Sequence, residues 1–477
     1  MKTILPSLLF WGTLAVTSPA SALSLSEYLG QVQKQNLSVQ GQEQQAGGSG
    51  LLAREADLIF TPQLTFDANI GHDAKLSSPP AMIYDDRKSQ TYSLGVSQQF
   101  RFGLQSKISY DVSRTSFDGA NFGPNVLNSY WDAAPKLELS MSLWQNAFGR
   151  GARLNEEVTR QQALGNSYNS LAQAQNLMVE AEAAYWRLAS AQESVRIQEQ
   201  ALKGSENILN YVSRKMAKNL GEEADILQAR ALVESYKLQL QQAQTEERAS
   251  RRGFNKYLYQ EADETVPALE GLNYQSLQQV AVPAKRPGDR WDVKAAEAQL
   301  AVARASSEQA AERSKPVLEV FGNYALNGRA AEARDALDNV NGSERDTGYV
   351  GLRFRMPLNL SATADARKGA AQNRQAAELN AQAKRYSQEQ EWIDLTQKLS
   401  DAKESLRLAT AIENAQKAKL ENERGRLRQG RTTTYQVLMF EQDYSQSQVS
   451  RVRAASQILS LQSQIKLYQA SDEGGVQ

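Results

Sequence analysis

His72 is the only histidine among 477 residues, and there is no cysteine, so most of the side chains that bind metals or attack electrophiles are missing. One imidazole cannot build a multi-histidine metal site. Without thiols there is no thiolate nucleophile, Cys-type zinc site, iron–sulfur cluster or disulfide. Any enzyme here would have to work with carboxylates, lysines and hydroxyls. Carboxylates, however, are so abundant along the helix-forming sequence that no acid–base pair stands out, and no P-loop, nucleophile elbow or zinc motif occurs. His72 falls at the end of a strand pattern, where a surface position explains it better than a ligand or pH switch. With 54 basic and 54 acidic side chains, no basic excess exists to hold nucleic acid. The reading is therefore no enzyme, no metal and no cofactor. Function has to come from what the chain's long elements position.

The chain opens with Lys2, an apolar run from Ile4 to Val16 and Ser18-Pro19-Ala20-Ser21-Ala22, the pattern of a signal peptide over 1–22 with cleavage before Leu23. No comparable apolar run follows, so a membrane could be entered only as a β-barrel. Between Asn155 and Met216 there is no proline, and Ala174, Ala181, Leu188, Val195, Leu202, Leu209 and Met216 recur every seven residues, joined by Leu171, Met178 and Tyr185. A second seam over 364–427 carries Trp392, Leu399, Leu406, Leu420 and Leu427, with Glu413 as the exception. These are coiled-coil patterns, and at 1.5 Å per residue each helix would be roughly 95 Å long. A fibrous spacer would show the same seams; the segments between them argue otherwise.

Short stretches alternate apolar and polar residues, as a strand with two different faces does. Leu64, Phe66 and Ile70 alternate with Thr65, Asp67 and Asn69; Leu137 and Leu139 with Glu138 and Ser140. Leu318 and Val320 flank Glu319, and Val350, Leu352 and Phe354 alternate with Gly351 and Arg353. The expected strands are 62–72, 135–145, 316–327 and 347–357, with an additional hairpin over 91–115. Apolar-out, polar-in strands of about ten residues characterise outer-membrane barrels, and the polar stretches 73–90 and 116–135 suit their long loops.

The helix-then-strand unit occurs twice. At an offset of 254 positions Val39 falls on Val293, Pro62 on Pro316 and Leu64 on Leu318. At an offset of 211 Asn219 falls on Gly430, and Asp225-Ile226-Leu227 on Gln436-Val437-Leu438. Asn and Gly tolerate left-handed backbone, so tips at 218–225 and 428–436 read as reversals between antiparallel helices.

This duplicated chain resembles the TolC-type outer-membrane efflux proteins across residues 23–470. The resemblance is carried by Leu23-Ser24-Leu25-Ser26-Glu27-Tyr28-Leu29, by Arg290 to Leu300, by Leu143-Trp144-Gln145-Asn146-Ala147-Phe148-Gly149-Arg150-Gly151 and by the two tips. It implies a mainly α fold with a membrane β-barrel part: a homotrimer whose 12-stranded barrel, four strands per chain, continues into a 12-helix periplasmic tunnel of about 100 Å. Residues 23–261 and 290–470 would be the two repeats, 262–289 an equatorial segment between them and 471–477 a tail. The 91–115 hairpin exceeds the four strands and is expected to decorate the barrel.

The function implied is a passive exit duct for a tripartite efflux or type I secretion system in a Gram-negative outer membrane, partnered by lipid, a periplasmic adaptor and an inner-membrane pump. Its periplasmic gate would involve Asp225, Arg431, Gln436 and Met439, and adaptor docking would use Asn219, Leu220, Gly221, Arg428, Gly430 and Thr432. The family's acidic gate motif is replaced here by Gln436 and Met439, so strong cation block is not expected. Asp225 either pairs with Arg431 to bias the entrance closed or is a solvated, helix-capping acid. The competing design is a trimeric autotransporter-like anchor. It would place its strands at the C-terminus, whereas here they form two internal blocks.

Overall fold

The computed structural model describes residues 22–75, 84–120, 122, 126–218, 222–341 and 345–469. The signal-like segment, apart from Ala22, and the 471–477 tail lie outside them. In chain order the elements are helices α1 (Leu25–Gln35) and α2 (Leu37–Leu52), strands β1 (Gln63–Asp73), β2 (Asp86–Gln99), β3 (Leu104–Asp118) and β4 (Ser129–Ser142), then helices α3 (Arg150–Met216), α4 (Glu223–Leu258), α5 (Tyr274–Gln278) and α6 (Trp291–Arg313). Strands β5 (Val317–Leu326) and β6 (Gly328–Ala330), helix α7 (Ala333–Asn341), strand β7 (Asp346–Arg355) and helices α8 (Leu360–Arg428) and α9 (Thr434–Ile465) complete the chain. Among the described residues no helix is long and apolar enough to cross a membrane.

Two compact units are built from interleaved segments. Among the described residues the first takes 22–44, Ser170–Arg290 and 387–469, and is mainly helical. Its start is fixed by a capping box: Ser24 Oγ accepts from the Glu27 amide, and the Ser24 amide donates to the Glu27 carboxylate. One core packs Tyr28 against Phe254 (ring centroids 4.1 Å) and Tyr185 (5.6 Å). The inter-repeat segment is tied to this core, since Leu23 donates to the Ala268 carbonyl and Tyr185 Oη to the Leu23 carbonyl. A second core joins α8 and α9 through Trp392, Leu399, Leu406, Ala455 and Ile458, with Leu277 of α5.

The two long seams behave differently. In α8 the seven-residue series is buried throughout: Trp392, Leu399, Leu406, Leu420 and Leu427 are all inside, and so is Glu413. In α3 the series holds through Ala181 and Leu188, after which Val195, Leu202, Leu209 and Met216 are only half-buried and Ile197, Ser205, Ile208 and Val212 take the interior. A helix of 3.6 residues per turn drifts about 20° per heptad from a 3.5-residue repeat. That drift is too small to account for α3, because Ile197, nine residues after Leu188, stands on roughly the opposite side of the helix; the buried face changes there.

The second unit takes Gln45–Asn169 and Trp291–Tyr386 and carries all the strands among the described residues. They form one antiparallel sheet in the order β1-β2-β3-β4-β5-β7, with β6 also on β4. The expectation that the 91–115 hairpin decorates a four-stranded contribution is therefore corrected. β2 and β3 lie inside the sheet, β2 paired along the whole of β1 and β3 along β4 from Ser129 to Met141. β4 also begins earlier than its alternation suggests, because Pro135 reads as a strand start. It sits where the β4 ladder passes from β5 to β6, a gap in which a missing amide proton costs nothing. Helix α7, unforeseen in the sequence, packs Ala336 and Val340 on Ala133. Their four-residue spacing, with Leu337 beside them, was its available signal.

Candidate functional site

Two surfaces concentrate the expected functional residues: the sheet in one unit and the helix ends in the other. In the sheet, the registers place directly opposed residues on one face. One row across all six long strands reads Leu64, Val96, Ile108, Leu137, Tyr324, Gly348; the next row on the other face reads Gln63, Ser97, Lys107, Glu138, Asn323, Tyr349. The apolar face continues through Phe66, Leu94 and Tyr110, through Leu139 and Val350, and through Met141, Val320 and Leu352, with Leu318 opposite Phe354. Ile70 ends it on β1 opposite Gln90. This face is uncovered within the chain: Leu64 is 74% exposed, Val350 82% and Leu352 72%. An exposed apolar patch of this extent marks an interaction surface, for protein or for membrane.

The polar face is internally paired. Arg353 reaches Glu319 at 3.0 Å and stacks over the Phe321 ring at 4.7 Å, Lys136 pairs with Glu138, and Ser93 donates to Asp111 at 2.5 Å. The Phe321 ring covers Gly351 so closely that a β-carbon there would lie 2.6 Å from it, leaving room only for glycine.

Where strand returns to helix, the backbone is wound tightly. Asn146 and Phe148 have φ of 59° and 52° and Gly149 of 73°, and Asn146 Oδ1 accepts from the Ala152 amide at the start of α3. The β2–β3 turn docks here. A β-carbon on Gly103 would meet the Gly149 nitrogen at 2.5 Å, and one on Gly149 the Arg101 carbonyl at 2.4 Å. Arg101 then grips the buried Glu156 with two hydrogen bonds, 2.7 and 3.0 Å. Sequence reading missed this pair, since Arg and Glu 55 residues apart carry no local signal.

At the second tip, α8 ends in a Schellman motif: the Arg431 amide donates to the Arg426 carbonyl (2.9 Å) and the Gly430 amide to Leu427 (3.0 Å), with Gly430 at φ 70°. Thr433 caps α9 by accepting from the Gln436 amide. Buried Glu423 knits the reversal together, accepting from Arg426 (3.1 Å) and from the Thr432 hydroxyl, while Arg426 also donates to the Arg431 carbonyl. Beneath lie Ile208, Val212, Ala229, Leu420, Leu427 and Val437. A β-carbon on Gly430 meets open space, so Gly430→Ala should lose only the backbone preference, about 1 kcal/mol, read as a lower unfolding midpoint, with Gly430→Asn milder.

Of the other expected tip residues, Arg428, Arg431, Gln436 and Met439 are exposed and Thr432 is half-buried. Asn219, Leu220 and Gly221 lie outside the described residues. Asp225 stands half-buried in the first turn of α4, where a carboxylate suits the helix dipole. No ion pair joins it to Arg431 among the described residues of the single chain. Among the described residues no cluster of potential ligands could hold a metal.

No protein-family model matches the sequence, and no curated protein matches it as a relative. Solved structures do match over nearly the whole chain. The outer membrane protein VceC of Vibrio cholerae shares 15% identity with a TM-score of 0.60, covering 95% of this chain and 97% of its own. The open-state MtrE outer membrane channel of Neisseria gonorrhoeae shares 17% at 0.62, covering 95% and 90%. The CmeC outer membrane channel of Campylobacter jejuni shares 14% at 0.57, covering 98% and 93%. The chain has the TolC-type fold. Within that fold, a six-strand sheet with one apolar and one polar face and a reversal locked by Gly430 and Glu423 are the features this sequence contributes.

Proposed function

We propose that this protein is an outer-membrane channel that passes cargo from periplasm to exterior without chemistry of its own, as the exit duct of an efflux or secretion assembly. The observation that carries it is the unbroken apolar row from Leu64 to Tyr324 backed by the polar row from Gln63 to Tyr349. Lipid would meet the first and water the second. A homotrimer is supported by a second apolar stripe on α8, Leu379, Tyr386 and Ile393, all exposed in the single chain and spaced by seven residues, as a seam awaiting another helix is. The second tip with Arg428, Gly430 and Thr432, together with Asn219, Leu220 and Gly221 of the first, would dock a periplasmic adaptor and through it an inner-membrane pump.

In this reading Gln436 and Met439 line the entrance, and Asp225 of one copy meets Arg431 of the next to hold it closed. Purified protein in a planar lipid bilayer should give discrete conductance steps with little cation block. Absence of any conductance in an inserted protein would count against the channel. Asp225→Ala should raise open probability; an unchanged value would leave Asp225 as a helix-end acid, since exposed pairs contribute only about 0–1 kcal/mol.

A further inference from the structure

Resting on the channel reading above, we propose that β2 and β3 are membrane-spanning barrel strands, so that three copies of this six-stranded chain close a barrel of eighteen strands, β7 of one copy bonding to β1 of the next.

The hairpin is built as the other strands are. Tyr92, Leu94 and Val96 continue the apolar face of β1, and Ile108, Tyr110 and Val112 carry it on to β4, while Ser93, Ser97, Lys107 and Asp111 stay on the polar face. With 14 and 15 residues, both strands exceed the roughly 9–11 needed to cross a bilayer. A decoration lying in water would gain nothing from a continuous apolar face on one side only. Nor is the hairpin peripheral. Among the described residues it is the sole partner of β1, and it pairs β4 along its length; its turn is seated on the strand-to-helix junction by the Gly103–Gly149 approach and the Arg101–Glu156 pair.

The edges then fix what completes the sheet. Among the described residues β1 and β7 each have one partner strand, and lipid does not tolerate an open edge. Six strands are too few to close alone, the smallest membrane barrels having about eight. The occupant of each edge is therefore another copy of this chain, in a head-to-tail contact that closes a ring. Because barrel diameter grows about linearly with strand number, eighteen strands make the barrel roughly 1.5 times as wide as twelve.

The natural absence of cysteine makes the test direct. Single-cysteine variants carrying a small fluorophore are inserted into phospholipid vesicles, and quenching by brominated lipid is compared with labelling by a charged, membrane-impermeant thiol reagent. Leu94→Cys, Val96→Cys, Ile108→Cys and Tyr110→Cys should lose fluorescence in brominated lipid, whereas Ser97→Cys, Lys107→Cys and Asp111→Cys should keep it and react from water. Leu64→Cys and Val350→Cys serve as controls for the membrane sheet, and the mass of the detergent-solubilised particle gives the copy number. Three copies with alternating quenching in β2 and β3 is the expected result. Quenched controls with an unquenched hairpin would overturn the eighteen-strand barrel and leave the channel intact. Two copies would also overturn it, giving twelve strands. Unquenched controls would bring down the membrane reading itself and this inference with it.

Discussion

Arg451→Ala should destabilise the helical unit by about 3–5 kcal/mol, the usual loss when one partner of a buried ion pair is removed. Glu413 occupies a core position of the α8 seam, where it forms an ion pair with Arg451 of α9, Nε to Oε2 at 2.7 Å. Both side chains are largely buried, and the guanidinium lies 3.9 Å from the centre of the Tyr274 ring of α5. One arginine thus joins α5, α8 and α9. Burial already pushes the Glu413 carboxyl above the usual range, with Arg451 opposing it, and burial raises the Tyr274 phenol to about 12.

Removing Arg451 takes away the main opposition to burial at Glu413, so its carboxyl is pushed further up. A carboxyl whose folded pKa is raised contributes stability below its unfolded pKa of about 4.3 and loses it as pH rises through the folded value. The Arg451→Ala deficit should therefore be largest near neutral pH and shrink on acidification. Glu413→Leu with Arg451→Leu should come close to the parent or exceed it. Urea unfolding of the three proteins at two pH values reads all of this, and a single variant as stable as the parent at neutral pH would contradict it.

Val350→Arg should cost about 2–4 kcal/mol, the range for a cation on the lipid face near the bilayer midplane. Val350 lies mid-strand in β7, opposite Gly322 and 82% exposed. Three residues on, Arg353 is accommodated on the opposite face by Glu319 and Phe321. Tolerance of arginine should thus depend on strand parity, so Ser97→Arg on the polar face should change stability by no more than about 0.5 kcal/mol. Reversible urea-dependent insertion into vesicles measures both. Equal effects would mean that the two faces meet the same solvent.

The two-faced strands were legible because alternation needs only neighbouring residues, and Leu64, Leu137, Leu318 and Val350 all stand on the apolar face their local pattern assigns. The six-strand order was not. A hairpin with the same alternation as its neighbours can decorate a sheet or belong to it, and only the pairing of β2 with β1 and of β3 with β4 decides. At the tip, Gly430 was legible as a reversal because a left-handed residue is a local demand. The Glu423 contacts with Arg426 and Thr432 were hidden, since acids and bases are frequent on every helix surface.

What this sequence settled by itself is what short-range chemistry can settle: no thiol or multi-histidine site, strands with unlike faces, long helices and a duplicated plan. Tertiary structure settled what depends on partners distant in sequence. The seven-residue series of α8 stays buried even at Glu413 because α9 brings Arg451 to it, whereas the equally regular series of α3 leaves the interior after Leu188. A period in the sequence sets how side chains are spaced around a helix. Which of them become core is set by where the neighbouring helices lie, and that information is in the packing.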